Sequence, residues 1–272
     1  MRILIKGAGD LASGIACRLH RCGFQIVMTE TAIPTTVRRT VAFSRAVYEG
    51  SAQVEGITAV LTADKEEMER AIENRQIAVV VDGLASHMDW YQPDVVVDAI
   101  LAKRNLGTAK EDAPLVVGAG PGFEAGKDCH YVIETKRGHY LGKVIAEGAA
   151  IPDTGIPGEI GGYSTERIIR APADGTFHPI AEIGDIVEKD EIVAKVGDVP
   201  VHAMMGGIVR GMLQPEVPVH TGMKCGDIDA RCEKEHCYTV SDKARAIGGG
   251  VLEAIGTWYG LGCGSNAQTC RT

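Results

Sequence analysis

Five apolar stretches in the first hundred residues share one texture. Arg2–Lys6, Gln25–Glu30, Ile57–Leu61, Ile77–Asp82 and Asp94–Asp98 are nearly continuous apolar runs with few polar breaks. Strands buried on both faces of a parallel sheet read this way. Pro114–Val117 closes the series. Between these runs, Ala12–Cys22 reads as a helix. Asp64 opens the stretch DKEEMERAIENR, with acids early and Arg75 at its end. That charge order suits a helix macrodipole. Strand, turn, helix and strand over residues 2–30 form the opening unit of a dinucleotide-binding fold. The expected class is therefore α/β, with a Rossmann-like parallel sheet over residues 1–126.

After Gly126 the helical period disappears. Short apolar runs alternate with glycine over 127–167, as in CHYVIET, HYLGKVIAEG and IPDTGIPGEIGG, which predicts a hairpin and loop connector. Residues 168–231 carry an internal repeat. Ala171–Phe177 lies over Ala203–Val209 at a register of 32, which also aligns Gly175 with Gly207 and Val187 with Val219. Two similar β halves resemble the barrel-sandwich hybrid of biotinyl and lipoyl domains. The stretch VHAMMGGIVRG sits where such a carrier would hold its lysine, but it offers Met204 and Met205 instead. Methionine has no amine to acylate, and Lys195 and Lys224 lie outside the hairpin. An unmodified scaffold is expected, without biotin or lipoate.

A C-terminal helix is expected over 238–256, with Ser241 as its N-cap. Gly248, Gly249 and Gly250 at its centre mean close packing against an element or a ligand, or else a break in the helix. The tail 257–272 has little to pack.

The 272 residues carry a net charge of −8, which argues against a general nucleic-acid or membrane-surface binder. MRILIKGAGD reads as a buried strand and not a signal peptide, so the expected compartment is the cytoplasm, with reduced thiols. Cys225, Cys232 and Cys237 lack the paired spacing of a zinc site, and no metal site is expected. Cys17 and Cys22 read as packing residues, and Cys129 as a candidate accessible thiol. The chain has no HExxH, GxSxG or P-loop pattern.

The candidate chemistry lies on glycine. KGAGDLASG supplies Gly7, Gly9, Ala12 and Gly14 directly after a strand. Gly7 permits the turn, Gly9 lets amides approach an anion, and Ala12 keeps helix and strand close. Glu30, ending the second strand, suits ribose hydroxyls and disfavours a 2′-phosphate. Asp10 is the discordant residue. A carboxylate in the first helical turn repels a pyrophosphate unless it points away or holds a cation, and otherwise it only offsets the dipole. Arg38 and Arg39 read as solvated charges, or as contacts for an extra phosphate. A second loop, GAGPGFEAGKD, contributes Gly118, Gly120 and Gly122 as an anion nest at the same sheet edge. Arg137 and His139 follow with Glu134 in a turn, as candidate anion contact and proton shuttle or as plain hairpin charges.

Together, GAGDLASG, GAGPGFEAGKDC, VIETKRGHYLG, PDTGIPGEIGG, RAPADGTF and SDKARAIGGGVLEAI resemble the YqeB-type proteins of selenium-dependent molybdenum hydroxylase systems. The resemblance covers residues 1–255. It implies an accessory role in maturing a molybdenum hydroxylase apoprotein, the expected partner, through the handling of selenium at the molybdenum centre or the molybdopterin cofactor. The resemblance brings no catalytic residues. The two glycine loops, with Arg137 and His139 nearby, make NAD or a molybdopterin dinucleotide the expected ligand. A non-enzymatic chaperone and an NAD-linked oxidoreductase remain as alternatives.

Overall fold

The computed structural model describes residues 1–83, 85, 90–155 and 161–260. Its first body is a nine-stranded, mostly parallel sheet. The strands are β1 (Arg2–Lys6), β2 (Gln25–Glu30), β3 (Ser51–Val54), β4 (Ile57–Leu61), β5 (Ile77–Val81), β6 (Val95–Asp98) and β7 (Leu115–Ala119). A pair β8 (Glu124–Ala125) and β11 (Gly148–Ala149) stands apart, while β9 (Tyr131–Ile133) and β10 (Val144–Ile145) extend the main sheet. The order is β10-β9-β7-β6-β1-β2-β5-β4-β3. It reverses between β1 and β6, and open α/β sheets take ligands at such a point, beyond the carboxyl ends of the strands.

The sheet does not end at residue 126. β9 pairs with β7 in parallel, Val117 opposite Tyr131, and β10 turns back on β9. Strands this short hold too few residues to display a period of two, so their sequence reads as loop.

Helices cover both faces. α1 (Asp10–Arg21) packs on one face with the C-terminal helix, and α3 (Lys65–Glu73) lies on the other beyond the single-turn α2 (Ala46–Glu49). Asp64 caps α3 by accepting the Glu67 amide at 2.8 Å. The C-terminal helix α4 spans Asp242–Tyr259, and Ser241 caps it by accepting the Ala244 amide at 3.2 Å. Its glycines serve packing, and the helix does not break there. A Cβ on Gly14 would sit 2.5 Å from that of Ala244, and one on Gly250 would overlap the Gly142 carbonyl. The two helices therefore approach closely enough to bury Ile15, Leu19, Ile247, Val251 and Ile255 completely. Each such side chain stabilises the fold by about 1.5–3 kcal/mol.

α4 also runs past the expected boundary. The Trp258 ring lies 4.5 Å from that of His130, and the Tyr259 hydroxyl donates to the Asp94 carbonyl at 2.9 Å. The start of the expected tail thus packs through its aromatics. Residues 261–272 lie outside the described residues.

The second body is all antiparallel. One four-stranded sheet joins β12 (Ile168–Arg170), β19 (Lys224–Asp229), β17 (Gly207–Met212) and β14 (Ile186–Val187). The other joins β16 (Val199–His202), β15 (Ile192–Val196), β13 (Gly175–Pro179) and β18 (Pro218–Val219). The repeat is visible in the strands. β13 and β17 begin at Gly175 and Gly207, β14 and β18 at Ile186 and Pro218, β15 and β19 at Ile192 and Lys224. Gly175 and Gly207 share a φ of +153° and +152°, so each half starts its long strand through the same glycine-only conformation. Phe177, Val193, Val209, Met212 and Ile228 fill the space between the sheets.

Candidate functional site

Two hollows flank the N-terminus of α1. The first is a cleft of about 540 Å³ at the sheet reversal, lined by Gly7, Gly9, Asp10, Ala12 and Glu30 among others. Gly7 has φ +92°, and a Cβ there would meet the backbone of Ala99 and Ile100 at 3.1 Å. Gly9 is the helix N-cap and supplies no side-chain cap, and the first-turn residues Asp10, Leu11 and Ala12 line the cleft beside it. Across it lies Thr29, whose buried hydroxyl has no hydrogen-bond partner. Glu30 folds back on the loop. Its carboxylate accepts the Ala8 amide at 3.0 Å and the Thr31 amide at 2.8 Å. The oxygen facing Ala8 keeps a further lone pair for a ligand hydroxyl, while the other also accepts the Thr31 hydroxyl at 3.3 Å.

The structure does not bring the remaining glycines to this cleft. Gly14 faces α4. A Cβ on Gly118 would strike the Phe123 ring at 2.5 Å, one on Gly120 the Thr135 hydroxyl at 2.7 Å, and one on Gly122 the Arg104 backbone at 2.6 Å. The second loop owes its glycines to close packing within the chain. The Gly120 amide is also taken by the Ile133 carbonyl at 2.9 Å. Residues 99–104 run between the two loops, touching Gly7 on one side and Gly122 on the other.

The second hollow, of about 430 Å³, lies between the two bodies and shares Asp10 and Leu11 with the cleft. Seven cationic side chains and three carboxylates line it. Arg167, Arg210 and Lys224 come from the β body. Arg38, Lys136, Arg137 and Lys243 come from the N-terminal body and α4. Asp10 resolves its own discord here. Arg38 donates to its carboxylate at 2.9 Å, and the other guanidinium nitrogen donates to the carbonyls of His236 at 2.9 Å and Thr239 at 3.1 Å. Arg38 is therefore buried, not solvated, and it ties the head of α1 to the segment before α4.

Asp227 is the counter-ion of the β body. It lies 2.6 Å from Arg167, 3.7 Å from Arg210 and 3.8 Å from Lys224, so one carboxylate faces three cations. Asp229 is drawn away by Arg231. Burial works against its charge, but the hydrogen bonds from Arg231 outweigh this and hold its carboxyl at about 2. The cations crowd one another. Arg210 is pushed down by burial and then by Arg38, and Lys243 by burial and then by Arg137. Lys224 is pulled down by burial, opposed by Asp227 and reinforced by Arg167.

The wall of this cavity is set by Glu134, which is buried and accepts the amides of Lys136 at 2.7 Å and Ile151 at 2.8 Å. Arg137 reaches the cavity but is engaged by Asp242 through two hydrogen bonds of 2.5 and 2.9 Å. His139 is exposed, stacks edge-on with Tyr140 at 4.9 Å and lines neither hollow. Cys129 is fully buried, and burial pushes its thiol up to about 11, so it is not the accessible thiol expected from its neighbours. At the β16–β17 turn Met205 is buried in the β core while Met204 is exposed.

No family model matches the chain. Among solved structures it is similar to an aspartoacylase family protein from Mesorhizobium loti, at 12% identity over 84% of each chain with a TM-score of 0.26. It is also similar to the product-bound ectoine utilization protein EutE (DoeB) from Ruegeria pomeroyi. That match has 11% identity over 75% of this chain and 57% of the other, with a TM-score of 0.24. Scores this low assign neither fold nor function. The sequence comparison is of another order: the chain is 50% identical over 253 residues to the uncharacterized protein YqeB of Escherichia coli K12. It spans about half of that relative's length, since the match covers 47% of it. Along 93% of its residues the chain is thus similar to YqeB at half of all positions.

Proposed function

We propose that the chain is an accessory protein that binds a nucleotide-containing ligand, NAD or a molybdopterin dinucleotide, in the cleft at the head of α1. In this reading it serves the maturation of a selenium-dependent molybdenum hydroxylase. One observation carries the proposal: the uncapped first turn of α1 opens, beside Gly7 and Gly9, into a cleft at the sheet reversal. The donor set fits such a group. The first-turn amides suit a phosphate, Glu30 suits ribose hydroxyls, and the unpartnered Thr29 hydroxyl supplies a further polar contact. Asp10 is compatible with an anion because Arg38 neutralises it. The ligand would supply the chemistry of its own nicotinamide or pterin, and the chain's residues would hold it.

Calorimetric titration with NAD, NADP and cytosine nucleotides tests this. Binding by the wild type that is abolished in Gly9→Val supports it. Equal, negligible binding by both proteins removes it.

A second reading is favoured by the surface of the β body, where Ile180, Ile186, Ile192, Val199 and Met204 are exposed. It has the chain dock the apo-hydroxylase through that body without enzymatic chemistry. Capture of the apo-hydroxylase should then survive Gly9→Val and fail when these side chains become charged.

A further inference from the structure

The cation-lined cavity differs from the cleft in its lining and shares Asp10 and Leu11 with it. Among the described residues its seven cationic side chains outnumber its three carboxylates. Asp10 is taken by Arg38, and Asp153 pairs outward with Lys103 at 2.7 Å. Asp227 answers Arg167, Arg210 and Lys224, and Asp229, itself held by Arg231, lies 3.9 Å from Arg210. Lys136 and Lys243 form no ion pair among the described residues. Arg38, with 7% of its side chain exposed, also carries a buried Nε without a hydrogen-bond partner. Burying like charges together is costly unless a counter-charge joins them. The sequence nevertheless spends three buried or half-buried cations of the β body on this one wall.

We propose that this cavity is an anion site of its own, built for a diphosphate group, and that the β body supplies ligand-binding cations instead of acting as a passive scaffold. A single carboxylate would leave most of the surplus unanswered, whereas a diphosphate brings charge on two centres and acceptors for both guanidinium and ammonium donors. The volume of about 430 Å³ admits a diphosphate together with part of an organic group. Groups from both bodies contact the guest, so its binding fastens the β body to the head of α1. The proposal does not depend on what occupies the cleft.

Inorganic pyrophosphate, titrated into the full chain by calorimetry at two salt concentrations, is the probe. The wild type should bind it, more weakly as salt rises. Lys224→Gln with Lys243→Gln should weaken binding by about tenfold or more, because each lost ammonium is a charged donor. Lys224→Arg with Lys243→Arg should retain it, which separates a charge effect from misfolding. Absence of wild-type binding, or binding that the glutamine pair leaves unchanged, overturns the proposal. A nucleotide arm distinguishes the sources. If pyrophosphate displaces a nucleoside diphosphate competitively, the site takes the diphosphate of that nucleotide. If both bind at once, the site takes a free diphosphate. Pyrophosphate binding without any nucleotide binding removes the cleft reading and leaves this one standing.

Discussion

Replacing Arg38 by methionine is the most informative single change in this chain. The guanidinium is only 7% exposed and satisfies the Asp10 carboxylate and two main-chain carbonyls. Met fills much of the volume but leaves all three acceptors unanswered. Breaking a buried pair from one side costs about 3–5 kcal/mol. Asp10 keeps 21% of its side chain in solvent, which places the expected loss near the lower end, at about 3 kcal/mol. Asp10→Asn added to Arg38→Met removes the stranded charge, so the double variant should be more stable than Arg38→Met alone. The double-mutant coupling should exceed about 1 kcal/mol. Urea unfolding of the four proteins measures it. The same change exposes an uncompensated carboxylate between the cleft and the cavity. At roughly 8 Å and an effective dielectric near 20, one such charge opposes a bound phosphate by about 2 kcal/mol, roughly thirtyfold in affinity. A loss of stability below about 1 kcal/mol, or a double variant no better than Arg38→Met, would show that Arg38 is not the neutralising partner described.

Thiol reactivity should follow burial. Cys22 and Cys232 should label quickly in the folded protein, while Cys17, Cys129, Cys225 and Cys237 are protected, as peptide mapping after iodoacetamide will show. Cys17 should be the slowest, since burial pushes its thiol to about 12. Acid stability should depend on Arg231. Asp229 is depressed from 3.8 to about 2, so its contribution is complete above pH 3.8 and is lost as pH falls toward about 2. Arg231→Met should raise the folded-state value and move the acid-unfolding midpoint upward, and an unmoved midpoint would deny that pairing. Expression with biotin and lipoate should leave the intact mass unchanged, because the β16–β17 turn presents Met204 where a carrier needs an amine. A mass increase fitting either group would refute the scaffold reading.

The apolar runs of the first hundred residues gave strand positions to within a residue, since a buried parallel strand can hardly be written otherwise. The repeat over 168–231 was equally legible, because both halves need glycine at the same strained position, Gly175 and Gly207. The cleft was half legible. Gly7, Gly9, Asp10, Ala12 and Glu30 converge as their spacing suggests, but Gly118, Gly120 and Gly122 carry a loop pattern whose cause is the nearby Phe123, Thr135 and Arg104. Local sequence cannot separate a glycine needed by a ligand from one needed by a neighbouring chain. The cation-lined cavity was almost invisible, because its charges are scattered from Asp10 to Lys243 and only the fold gathers them. One signal was present. All six residues of β17, including Arg210, are buried, and β19 sets Asp227 and Asp229 among buried neighbours. A charge written into a buried strand requires a partner, and Arg210 and Asp227 announce each other.

The account rests on the anion-binding character of the head of α1. Native mass spectrometry of the purified chain, with and without added nucleotides, tests this most directly. A bound, phosphorylated nucleotide that disappears in Gly9→Val is the predicted result. A wild-type chain that carries none and takes up none on addition would contradict it.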